Sequence, residues 1–107
     1  MSLTSDIIRG HTETIIMSQL KNADSYGYQI NKTIKEKTKG QYEVKEATLY
    51  TAFRRLEQGG LIASYWGDEA SGARRKYYSI TEQGRTALED SLAEWHRVKQ
   101  IVDSLIF

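Results

Sequence analysis

The chain has 107 residues, with 15 Lys and Arg against 14 Asp and Glu and neither cysteine nor proline. This length predicts one folded unit with a single modest core, and the near-neutral balance argues against a bulk polyanion binder while leaving room for a local basic face. The missing cysteines exclude disulfides, thiolate metal sites and cysteine nucleophiles and fit a cytoplasmic setting; no apolar run suits a membrane span, and the N-terminus lacks a signal-peptide pattern.

Taken in chain order, residues 5–20 place Ile7, Ile8, Ile15, Ile16 and Leu20 at helical spacing, with Ser5 as N-cap and Asp6 in the first turn. The segment KNADS breaks the pattern, and a second helix is expected after Ser25. Its buried side carries Tyr26, Ile30 and Ile34, and Gly40 ends it. Lys32, Lys35, Lys37 and Lys39 form its outer, solubilising face, within reach of an occasional phosphate. After the short connection QYEV, a third helix over 46–58 has the stripe Leu49, Ala52, Phe53 and Leu56. Gly59 and Gly60 stop it, one of them in a left-handed conformation. LIASYWG and RRKYYSI then read as strands of a hairpin joined by the polar loop DEASGA, whose tip is expected to project and move. One of Tyr77 and Tyr78 should face the core and the other the outside. Thr81 caps a last helix, with Glu82 in its first turn. Along it, Leu88, Trp95 and Val102 recur every seven residues beside the row Ser91, Val98 and Leu105, with Leu92 adjacent. That is the a/d seam of a helix that pairs with another.

Three helices, a hairpin and a final helix make a mostly α, α+β layout, that of a winged helix-turn-helix with an added C-terminal helix. In this layout the third helix enters the major groove and the hairpin lies against the backbone or minor groove. Leu49, Phe53 and Leu56 would hold the third helix to the core. Thr48, Thr51 and Arg55 would face outward, flanked by Tyr50 and Arg54, the residue types that suit phosphates and base edges. Basic residues outnumber acidic ones over residues 45–80, and the reverse holds from Thr81 onward. Asp68 and Glu69 near the hairpin tip would repel phosphate, so the tip is not expected to penetrate deeply.

Three blocks of the chain resemble the PadR family of bacterial winged-helix transcriptional regulators. YGYQI (residues 26–30) is similar to the family's Gly-Tyr motif, ATLYTAFRRLEQGGLI (47–62) to its Thr-Leu-Tyr block, and ARRKYYSITEQGRTAL (73–88) to its Arg-Lys-Tyr-Tyr-x-Ile-Thr-x-x-Gly segment. The single short C-terminal helix looks like the compact branch of that family. The sequence departs at Lys45-Glu46, where Ser-Pro is frequent, and at Phe53, usually aliphatic. The resemblance implies residues 1–80 as a DNA-binding unit and 81–107 as a dimerisation helix, aided by the first helix. It implies DNA contacts from Thr48, Tyr50, Thr51 and Arg54 or Arg55, supported by the wing arginines Arg74 and Arg75; Lys45 and Lys76 are further candidate contacts beside them. The homodimer interface would comprise Leu88, Leu92, Trp95, Val98, Val102 and Leu105.

Other chemistry is not indicated. His11 and His96 lack the further ligands of a metal site, and no catalytic constellation or phosphate loop is visible, so neither an enzyme nor a cofactor is expected. Trp95 has two readings: packing against its symmetry mate, which is favoured, or a slot between two indoles for a flat apolar or phenolic effector, which the resemblance permits. The function expected is that of a dimeric repressor on a palindromic double-stranded operator, with reading helices about 34 Å apart. The alternative is a winged-helix protein-interaction module that does not bind DNA.

Overall fold

A computed structural model describes residues 3–68 and 74–107. The helices are α1 (Leu3–Arg9), α2 (Thr12–Leu20), α3 (Gly27–Lys37), α4 (Glu46–Gln58) and α5 (Glu82–Ile106). The strands are β1 (Ser25–Tyr26), β2 (Ile62–Asp68) and β3 (Arg74–Ile80). The molecule measures 55 × 30 × 21 Å, and its 25-residue final helix alone runs for roughly 37 Å. Of the loop expected over residues 68–73, Asp68 ends β2, and residues 69–73, Glu69 among them, lie outside the described residues.

The helix expected over 5–20 is two helices. Gly10, a poor helix former, and His11 (φ −109°, ψ 14°) interrupt it. The His11 N–H donates to the Ile8 carbonyl (2.8 Å) and Thr12 Oγ1 to the Arg9 carbonyl (2.7 Å), so the backbone groups freed by the break are satisfied. Ser5 lies inside α1 and is not its cap. Ile16, Met17 and Leu20 on α2 are buried, whereas Ile7 on α1 is exposed.

The sheet has three antiparallel strands in the order β1-β3-β2. β1 was not anticipated: Ser25 pairs with Tyr78 and Tyr26 with Tyr77, and two residues are too few to show a period. Tyr26 is consequently extended (φ −133°, ψ 164°) at the N-cap of α3, not on that helix's buried side. Ile30 and Ile34 do anchor α3. The chain reverses through Lys39 (φ 52°) and Gly40 (φ 78°). Asn31 then clamps the approach to α4, donating from Nδ2 to the Val44 carbonyl (2.8 Å) and accepting from the Val44 N–H at Oδ1 (3.0 Å).

α4 buries Leu49, Ala52, Phe53 and Leu56 as its stripe predicts. Gly60 (φ 74°) takes the left-handed position, and the Leu61 N–H returns to the Leu56 carbonyl at 2.9 Å. Of the two tyrosines of β3, Tyr78 is the core residue, stacked on Phe53 with centroids 4.0 Å apart. Tyr77 packs on the other face against Tyr65. Burial, then the Glu57 carboxylate and Tyr50, push the Tyr78 hydroxyl up from 10.0 to about 12. A folded pKa above the unfolded one means the protonated phenol favours the fold up to about pH 10, an advantage lost as pH rises toward 12. An alkaline titration should therefore show one tyrosine ionising only as circular dichroism reports loss of structure. Complete tyrosinate formation near pH 10 in a folded chain would contradict this.

Thr81 caps α5 as expected: its Oγ1 accepts from the Gly84 N–H (3.0 Å) and lies 2.7 Å from the Gly60 carbonyl. Arg85 reaches across from α5 to donate to the Lys21 carbonyl at the end of α2 (3.0 Å), where α2 has no basic residue of its own. Leu88 belongs to the common core, with Leu92 packed against it.

Candidate nucleic-acid interface

At ~100° per residue, the four buried positions of α4 set which side faces solvent. The direction opposite their centre falls among Ala47, Thr51, Arg54 and Gln58. Thr51, Arg54, Arg55, Tyr50 and Lys45 are exposed and Thr48 is half-buried. The expected order of the arginines is thus reversed. Arg54 stands on the outward ridge, and Arg55 turns toward α2, where its Nη1 lies 4.0 Å from Glu13 Oε2. Thr48 turns the same way, and both line a groove of about 410 Å³ with Arg9 and Glu13. Tyr50 turns to the opposite flank, toward the wing, its ring edge-on to Phe53 at 5.8 Å.

The wing is tied to α4 by Glu57, which sequence reasoning did not single out. Glu57 Oε2 accepts from Ser64 Oγ (2.8 Å), and Oε1 lies 3.9 Å from Lys76 Nζ. A second tether runs from Tyr65 Oη, which donates to Asp24 Oδ2 at 2.6 Å. This bond, ahead of burial and of the Asp24 charge, raises the Tyr65 hydroxyl above its ordinary pKa. Arg74, Arg75 and Lys76 are all exposed. The Arg74 guanidinium lies 5.4 Å from the Trp66 ring centroid and that of Arg75 4.5 Å from the Tyr26 centroid. The outward side of α4 and the basic wing thus form a continuous surface through Tyr50, Glu57 and Lys76.

The α5 residues expected at an interface divide. Leu88 is enclosed in the chain's own core, and Leu92 is partly enclosed, because the first turns of α5 pack on α2. Leu88 is therefore removed from the set. Trp95, Val98, Val102 and Leu105 are exposed, joined by Ile101 and Ile106, which the heptad reading passed over. Trp95 also has a partner within the chain: His11 meets its ring edge-on, centroids 4.8 Å apart, and Lys99 Nζ lies 5.7 Å from it. Between α1, α2 and α5 is an apolar cavity of about 300 Å³ lined by Ile7, Ile8, His11, Ile15, Leu92 and Trp95. No spacing rule could find this cavity, because it depends on the break at Gly10. Among the described residues no group of three or more His, Cys, Asp or Glu could hold a metal ion, and no helix is long and apolar enough to cross a membrane.

The sequence profile of the family described as "Transcriptional regulator PadR-like family" matches residues 16–90. An uncharacterised protein of Lysinibacillus sphaericus is 46% identical over 99 residues, covering 92% of this chain and 91% of that protein. The structure of a transcriptional regulator from Clostridium thermocellum is similar at a TM-score of 0.89 and 44% identity, covering 99% of this chain and 100% of the other. That of a PadR family transcription regulator from Clostridium difficile is similar at a TM-score of 0.79 and 36% identity, covering 91% and 99%.

Proposed function

The chain belongs to the PadR-like family of transcriptional regulators, which are not enzymes, and from that premise we propose that it is a cytoplasmic, homodimeric repressor of a palindromic double-stranded operator. Residues 1–80 form the reading unit and residues 81–107 the dimerisation helix. The observation that carries this reading is α4: one side is locked into the core by Leu49, Phe53 and Leu56, and the other presents Thr51 and Arg54 beside a basic wing. A helix so anchored can hold donors at fixed positions in a groove. Lys45, Thr48, Tyr50 and Arg55 flank it, and Arg74, Arg75 and Lys76 set its register on the phosphates.

Titration against specific and random duplexes over a salt series tests the proposal. Arg54→Ala should cost about 1–3 kcal/mol on the specific site and little on random DNA. Arg75→Ala should weaken both alike and reduce the salt slope by about one. Equal losses on both duplexes for Arg54→Ala would leave it no base-reading role. The second reading, a protein-interaction module, is favoured by the acidic groups set against the basic surface, Glu13 near Arg55 and Glu57 near Lys76. No binding to random duplex at low salt would select it.

The cavity beside Trp95 supports a flat apolar or phenolic effector as the releasing ligand. Such a molecule shifts DNA binding only by its differential affinity for the two protomer arrangements, about 1–3 kcal/mol for a usable switch. In a Trp66→Phe background Trp95 is the remaining tryptophan, so aromatic ligands should quench its emission saturably. Absence of saturable quenching across such a panel would remove the effector from this cavity.

A further inference from the structure

Consecutive side chains of a strand point to opposite faces of the sheet. At the base of the wing, two neighbours on β2 are each held by an acid from elsewhere in the chain. Ser64 pairs with Tyr78 and Tyr65 with Tyr77. Tyr78 is the buried tyrosine, so Ser64 shares the face that packs on α4, while Tyr65 lies on the outer face, stacked on Tyr77. On the inner face the Ser64 hydroxyl donates to Glu57 Oε2 of α4 at 2.8 Å. On the outer face the Tyr65 hydroxyl donates to Asp24 Oδ2 at 2.6 Å. Asp24 immediately precedes β1, and the strand order is β1-β3-β2, so this bond crosses over β3 and joins the two outer strands. Aromatic rings underlie it: Tyr65 and Tyr77 have centroids 5.7 Å apart, and Tyr26 meets Tyr77 edge-on at 5.3 Å. Toward the tip the Tyr77 ring lies over Gly67, where a Cβ would stand 2.6 Å from Tyr77 Cε1.

The position of these bonds matters because of what lies beyond them. Among the described residues β1 pairs with β3 only at Tyr77 and Tyr78. From the Trp66–Lys76 pair outward the wing is therefore a two-stranded ribbon, and such ribbons twist and bend more freely than wider sheets. A hinge at its base would swing toward either face, and a tether on one face restrains only one direction. Here both directions are restrained, by an acid of the reading helix itself and by one that leads into β1 and α3. Stability alone does not account for the outer bond: Tyr65 is 45% exposed and Asp24 is exposed as well, and there a hydrogen bond competes with water. We propose that Ser64 and Tyr65, gripped by Glu57 and Asp24, form a two-sided clamp that fixes the angle between the wing and α4, and that these four are positioning residues for contact with the DNA backbone. A wing held in advance loses less freedom when phosphates meet it. The proposal rests on the DNA-binding reading above and adds to it residues that act without touching DNA.

Two measurements on the full chain test it, with variants that change no charge. Tyr65→Phe keeps the ring and removes the outer bond, and Ser64→Ala removes the inner one. The first measurement is the emission anisotropy of Trp66, next to the clamp on β2, in a Trp95→Phe background where it is the remaining tryptophan. Each variant should add a fast depolarising component, largest for the two combined, while Tm stays within a few degrees. The second is a salt-series titration with random duplex, without the Trp95 substitution. Each variant should bind about 3-fold more weakly and the two combined about 10-fold. The salt slope should also fall although no charge is lost, because a loosened wing neutralises fewer phosphates on average. A loss of stability alone would leave that slope unchanged. Unaltered anisotropy would overturn the clamp. A freed wing that binds duplex with the original affinity and slope would overturn its positioning role and leave DNA binding intact. Failure of the unsubstituted chain to bind any duplex would remove both the DNA reading and the positioning role.

Discussion

Gly84→Ala is expected to destabilise the fold by about 3 kcal/mol or more, a large share of the 5–15 kcal/mol that holds a domain together. Gly84 lies in the first turn of α5, directly over the Leu61 carbonyl, and a Cβ there would overlap that oxygen and stand 2.8 Å from Ile80 Cγ1. Neither obstacle is free to move. The Leu61 carbonyl accepts the Thr81 N–H at 3.1 Å, and next to it Ile62 pairs with Ile80 at the base of the hairpin. Relief would have to come from lifting α5, which would pull Leu88 out of the core and strain the Thr81 cap. Thermal unfolding should show a drop in Tm on the order of 15 °C. A melting curve within a few degrees of the unsubstituted chain would mean that α5 is not seated on this carbonyl.

Val98→Asp is expected to separate the proposed dimer without unfolding the protomer. Val98 is 39% exposed, amid an apolar side of α5 that also carries Trp95, Ile101, Val102 and Leu105. In a monomer the new carboxylate would remain in water, so little stability is at stake. In a dimer joined along α5, two carboxylates would enter one apolar seam without partners, costing several kcal/mol and raising the dissociation constant by about 100-fold or more. DNA affinity should fall with it by about 100-fold or more, because two half-sites are no longer tethered. Sedimentation at micromolar concentration should shift from dimer to monomer, with circular dichroism unchanged. An unaltered sedimentation coefficient would remove α5 as the interface, and monomer with undiminished operator affinity would remove the need for two linked reading helices.

The buried side of α4 was legible almost residue for residue. Its apolar stripe, its start after Lys45 and its glycine stop are local signals, and the helix needs only a core to lie on. The Thr81 cap is equally local, since its partner is three residues away. The motif that ends in Gly84 was also readable as a pattern, but its cause was not, because the obstacle to a side chain there belongs to Leu61. The wing was recognisable from its two β-rich runs, although Glu57 and Asp24, the acids that fix it, were not, being brought to it from other elements.

What the chain determined by itself was therefore the order of its main helices and hairpin strands and the side of α4 that must be buried, because helix periodicity, capping and turn residues act within a few positions. The tertiary structure alone decided the division of labour between neighbours. It gave Arg54 the outward ridge and Arg55 the company of Glu13, enclosed Leu88, added β1 to the hairpin and set Trp95 against His11. Each of these outcomes depends on what lies opposite a residue, and the facing groups come from distant parts of the chain.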